Sequence, residues 1–169
     1  MSERRLRSAL RSLKVWPDGR GWRESAGLGV AAALPILGIG FATGLLAWAP
    51  SEEGRLRLLL GVLLVPSLAE EFVFRGLLTP APGESRSPAR AIAPGLAAYV
   101  LWHVAGGLLL PGASLLLRPD FLFSAFLLGL ACALMRYRTG SLWPPVVFHA
   151  LVVWAWQAFL GGIAPADLL

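Results

Sequence analysis

Apolar residues come in long runs along the chain, and the short segments between the runs hold most of the charge. Five runs stand out, at about 26–49, 58–80, 91–111, 121–135 and 142–163. A helix that crosses the hydrocarbon core of a bilayer needs roughly 20 mainly apolar residues. The runs therefore predict about five transmembrane helices, the fourth of them short. Gly and Pro recur inside the runs, which membrane helices tolerate better than soluble ones. The expected fold class is all-α, an integral membrane bundle, with no internal repeat and no low-complexity segment.

Composition strengthens this reading. Of 169 residues, 56% are hydrophobic and 15% charged, where soluble domains hold roughly 45–50% and 25%. The mean hydropathy is +0.66. The length suits one compact unit, divided here into a basic N-terminal segment, 1–25, and a membrane-embedded helical domain, 26–165. Cys132 is the single cysteine and has no internal disulfide partner.

The net charge of +5 does not point to nucleic acid, because the basic residues crowd at the N-terminus and in short loops. That is how membrane proteins face anionic lipid. Residues 1–25 carry seven Lys or Arg against three Asp or Glu. Arg4, Arg5, Arg7, Arg11 and Lys14 can line one side of a short helix lying on the membrane. No small-residue cleavage site follows a short apolar core, so a cleaved signal peptide is not expected. Placing the N-terminus in the cytoplasm puts Arg86, Arg90, Arg136 and Arg138 inside as well. The outer loops, with Glu52, Glu53, Arg55, Arg57, Arg118 and Asp120, then show no positive excess, and the C-terminus with Asp167 ends outside.

Candidate chemistry sits in the few polar residues within the runs: Glu70, Glu71, Arg75, His103, His149 and, less prominently, Gln157. Charged groups at the bilayer centre cost roughly 2.5–3.5 kcal/mol on insertion scales and are functional candidates by default. Glu71 and Arg75 are four apart, share a helix face and can pair. Glu70 is rotated from Arg75 by about 140° and is left without that partner, so the adjacent glutamates are expected to divide the work. Glu71 and Arg75 would hold the helix; Glu70 would do the chemistry. Counted from the cytoplasmic ends of their runs, Glu70, His103 and His149 lie roughly 15, 18 and 10 Å deep. One carboxylate and two imidazoles around a buried water form a hydrolytic arrangement. The bland readings are a Glu–Arg pair and histidines that join helices, tryptophans 143, 154 and 156 as interface anchors and packing, and glycine pairs 106–107 and 161–162 as packing or helix ends.

The residues also match a known pattern. "EEFVFRG", from Glu70, resembles the EExxxR motif of the CPBP family of intramembrane endopeptidases, which includes the CAAX prenyl endopeptidases and bacterial Abi-type proteins. "YVLWH" resembles its FxxxH motif, with Tyr99 in place of Phe. "FHALVV" resembles its third motif, a His followed four residues later by Asn or a similar residue. The resemblance spans about 58–160. It implies a glutamic-type hydrolase without cofactor or metal, in which Glu70 is the general base, His103 helps hold the water and His149 stabilises the oxyanion. Glu71 and Arg75 are then supporting residues. The implied partners are membrane lipid and a membrane-anchored protein or peptide substrate, and the implied location is the bacterial inner membrane. A small branch of the family resembles sorting proteases that trim C-terminal membrane anchors.

The chain departs from the pattern at Val153, four residues after His149, which cannot donate a hydrogen bond. Gln157, one turn further along roughly the same side, is the candidate replacement. Two alternatives stay open. Glu70 and the two histidines could bind zinc as a metal-dependent peptidase, although no HExxH is present. The polar cluster could instead bind a partner in a non-catalytic immunity or scaffold protein.

Overall fold

The computed structural model describes residues 3–51, 54–80, 85 and 87–162, without the side chain of Arg4. Glu52, Glu53, Arg86, Asp167 and the end of the last predicted span lie outside the described residues. Regular structure among the described residues is helical, with one isolated bridge between Ala49 and Leu160. The helices are α1 (Glu3–Lys14), α2 (Gly19–Thr43), α3 (Arg55–Val62), α4 (Ala69–Glu71), α5 (Pro88–Leu109), α6 (Pro119–Thr139) and α7 (Trp143–Phe159). Wider π-type turns, Leu63–Leu68 and Phe72–Leu77, flank α4, and a 3₁₀ turn, Ala113–Leu117, precedes α6.

Among the described residues, three helices are long and apolar enough to cross a membrane by themselves: α2, α5 and α6. In the most apolar stretch of each, half of α6 is buried, against 17% of α2 and 22% of α5. α6 is thus the central helix. It meets α2 through Ala32, Ile36, Leu128, Ala131, Cys132 and Met135. It meets α5 through Ile92, Leu96 and Ala133. Leu58 and Val62 of α3 pack on Ala158 of α7. Outward-facing apolar side chains, such as Leu34 (65% exposed), Leu101 (64%) and Leu109 (79%), suit lipid rather than water. The protein is a helical membrane bundle.

The predicted span boundaries shift where capping chemistry overrides hydropathy. α2 starts at Gly19 rather than near 26, because Asp18 caps it by accepting from the Gly21 N–H at 2.7 Å. An Arg20–Glu24 pair at 2.9 Å follows in its first turns. α6 is longer than the run of apolar residues, opening with Pro119 and ending at Gly140, whose φ of 70° closes the helix in the left-handed conformation. α7, at 17 residues, is shorter than its predicted span and opens with Pro144 and Pro145.

The second predicted span departs most. It is broken, not continuous. Val65 is extended (φ −136°, ψ 119°), because the ring of Pro66 disfavours helical backbone in the residue before it. The break re-aims α4, and α4 carries Glu70 and Glu71. The basic α1 also does more than lie on a surface. It packs against Phe72–Leu77, with Ala9 and Ser12 buried. Trp143 donates from Nε1 to the Leu13 carbonyl at 3.0 Å, and Ser141 donates to the Val15 carbonyl.

Candidate active site

Glu71 points into the bundle and is fully buried, as is Arg75. Arg75 Nη1 lies 3.2 Å from Glu71 Oε1. The same oxygen accepts from Nδ1 of His149, on α7, at 2.8 Å. The guanidinium also donates from Nη2 to the Gly129 carbonyl at 3.0 Å and stacks 4.1 Å from the Tyr99 ring. A single pair thus ties α4 to the Phe72–Leu77 turn, α5, α6 and α7. Burying two charges is tolerable only when both are paired and further hydrogen-bonded, which these contacts supply. Gly129 is needed for this approach: a Cβ there would lie 2.8 Å from both Arg75 Nη2 and the Tyr99 ring. Gly95 allows a second one, since a Cβ there would stand 2.8 Å from the Phe74 carbonyl.

Glu70 faces differently. It is half-buried and lines a cavity. Its Oε1 accepts from Trp102 Nε1 at 3.2 Å. Its Oε2 has no hydrogen-bond partner among the described residues and stands 4.0 Å from His149 Nε2. A carboxylate accepts, so the proton on His149 Nδ1 is assigned to the bond with Glu71 and Nε2 is left to face Glu70.

His103 is fixed in the same manner by its own helix. Nδ1 donates to the Tyr99 carbonyl at 2.9 Å, and Nε2 presents a lone pair. The buried Tyr99 ring is the hub, 4.6 Å from the His103 ring and 6.1 Å from His149, edge-on to both.

Glu70, His103 and His149 line one open-sided cavity of about 830 Å³. It runs between α2 and α7, and its walls are almost wholly apolar, with Val30, Ala33 and Leu37 contributed by α2. Val153, Trp156 and Gln157 of α7 line it too. The arrangement offers one carboxylate with a free oxygen and two imidazoles whose Nδ1 atoms are engaged. That set can take a proton from water, orient that water and donate to a developing negative charge. Among the described residues, no three His, Cys, Asp or Glu side chains group so as to hold a metal ion.

Of the residues singled out in the sequence, Glu70 and His149 face each other, His103 shares their cavity, and Glu71 and Arg75 form the pair behind them. Gln157 lies further along α7 on the cavity wall. The sequence reading missed the Glu71–His149 bond, the Trp102–Glu70 bond and the Gly129 carbonyl. The first joins residues 78 apart and the last involves 54, with no local signal for either. Trp102, beside His103 in "LWH", was open to notice as a polar-tipped side chain within a span.

The family comparison covers the same region. A model described as "Type II CAAX prenyl endopeptidase Rce1-like" matches residues 52–155, more than half of the chain and including all three motifs. Comparison with curated proteins and with solved structures returns no match. At the level of the family, the bundle is that of a CAAX-type intramembrane protease, and the chain belongs to the Rce1-like family of type II CAAX prenyl endopeptidases.

Proposed function

We propose that the chain is an intramembrane endopeptidase that hydrolyses a peptide bond of a membrane-anchored protein or peptide with a water activated by Glu70. The observation that carries this reading is the unpartnered Oε2 of Glu70, 4.0 Å from an imidazole whose far nitrogen is held by Glu71. Water held between Glu70 and His103 attacks the carbonyl carbon, and Glu70 takes its proton. The carbonyl oxygen becomes an oxyanion. The imidazolium form of His149 donates to it from Nε2, with the Glu71 carboxylate behind Nδ1 to support the cation. Glu70 then returns its proton to the leaving amine, and the peptide bond breaks. Glu71 and Arg75 are positioning residues, and Gln157 lines the path beyond Val153.

The proposed organisation is a basic segment, 1–25, on the cytoplasmic side of a bacterial inner membrane, ahead of the catalytic domain, 26–165. The apolar walls of the cavity favour a substrate that is itself membrane-embedded, and C-terminal sorting anchors are the proposed class. The test is terminus profiling of membrane proteins by mass spectrometry from cells carrying either wild type or Glu70→Gln. New C-termini seen only with wild type would support the reading. Identical profiles together with a preserved cellular phenotype would favour a non-catalytic binding protein.

A further inference from the structure

The third motif of this chain has no hydrogen-bond donor at Val153, yet its helix offers one elsewhere. Trp156 lines the same cavity as Glu70, His103 and His149. Its Nε1 is buried and has no hydrogen-bond partner among the described residues. A tryptophan that anchors a helix at the membrane surface keeps its N–H among the headgroups; this one is turned inward. A buried donor left unpaired costs roughly 1–3 kcal/mol, so its retention asks for a partner that arrives with the substrate.

The register of α7 favours that role. At 100° per residue, seven residues bring Trp156 back to within about 20° of the face that carries His149, whereas Gln157 is turned by about 80°. The axial separation is about 10.5 Å. Long helical side chains lean toward the helix N-terminus, the end of α7 nearer His149. A chain of rings connects it to His103: Trp156 to Phe121 is 5.7 Å, and Phe121 to His103 is 5.6 Å.

We propose that the indole N–H of Trp156 donates to the carbonyl oxygen of the scissile peptide bond as it becomes an oxyanion. It supplies, from a different position on α7, the hydrogen bond that Val153 cannot make. The inference rests on the hydrolytic reading above. Trp156 is then a catalytic residue, and its N–H, not its ring, is what catalysis uses.

The test is steady-state cleavage by the full-length protein in liposomes, using a membrane-anchored peptide that wild type cleaves and Glu70→Gln does not. That control separates the two ideas: without it the hydrolytic reading fails, and with it the outcome bears on Trp156 alone. Trp156→Phe keeps the ring and removes the donor. Its kcat is expected to fall about 10²–10³-fold, the usual loss for one oxyanion donor, with KM little changed. Adding Val153→Asn to Trp156→Phe is expected to recover at least about tenfold, a rescue that a packing role would not give. Replacing Trp156 by benzothienylalanine, which puts sulfur where the indole has its N–H and keeps nearly the same shape, is expected to give the same loss of kcat. This last variant decides the matter even if Trp156→Phe fails to fold. A Trp156→Phe enzyme with wild-type kcat, a loss that Val153→Asn does not recover, or wild-type kcat with benzothienylalanine at position 156 would each overturn the proposal.

Discussion

Glu71 Oε1 stands 2.8 Å from His149 Nδ1, which makes Glu71 the link between the Arg75 pair and the candidate catalytic imidazole. The adjacent glutamates of α4 thereby face two different surroundings. Glu71 is enclosed by Arg75 and His149, and Glu70 opens on the cavity. Their division follows from one residue of helical rotation, about 100°.

The first prediction concerns that link. Glu71→Ala leaves Arg75 as a buried cation without its carboxylate. Loss of one partner from a buried pair costs about 3–5 kcal/mol. Thermal unfolding in detergent is expected to show a lowered midpoint, and activity is expected to fall with it because His149 loses its orienting acceptor. An unchanged midpoint would mean that the pair does not hold the bundle.

Trp102 offers a test that should spare the fold. It is 56% exposed and bonds to Glu70 Oε1, so Trp102→Phe removes a donor without opening a core. A hydrogen bond to a charged group contributes about 1.5–3 kcal/mol, and kcat/KM is expected to fall roughly 10–100-fold with the unfolding midpoint unchanged. Full activity in Trp102→Phe would show that Glu70 needs no such hold.

Gly129 makes a steric prediction. A methyl group there meets Arg75 and Tyr99 at 2.8 Å, and neither has room to retreat in a buried site. Overpacking of this kind costs about 1–3 kcal/mol. Gly129→Ala is expected to lower both stability and cleavage, whereas Gly27→Ala, where the added atom has open space, is expected to change neither. Stability measured by thermal unfolding of both variants checks this.

Much of the architecture is written in the apolar runs, because a bilayer demands helices long enough to cross it, and α2, α5 and α6 follow directly. The break at Val65–Pro66 was signalled by the proline but hidden by the hydropathy around it. The cap at Asp18 is a local signal that a search for uncharged spans passes over. The Glu71–Arg75 pair was legible as a four-residue spacing. That His149 would reach Glu71 was not, since it depends on how α7 packs against α4. The orphan N–H of Trp156 is likewise invisible until burial is known.

The central claim is that the carboxylate of Glu70 activates water, and one comparison tests it most directly. Wild-type protein and Glu70→Gln, matched for folding by thermal unfolding, are given the same membrane-anchored peptide in liposomes and product is followed by mass spectrometry. The variant keeps the shape of the side chain, including an oxygen for Trp102, but loses the base. Cleavage by wild type with none by the variant is the expected result; a folded Glu70→Gln protein that cleaves at the wild-type rate would contradict it.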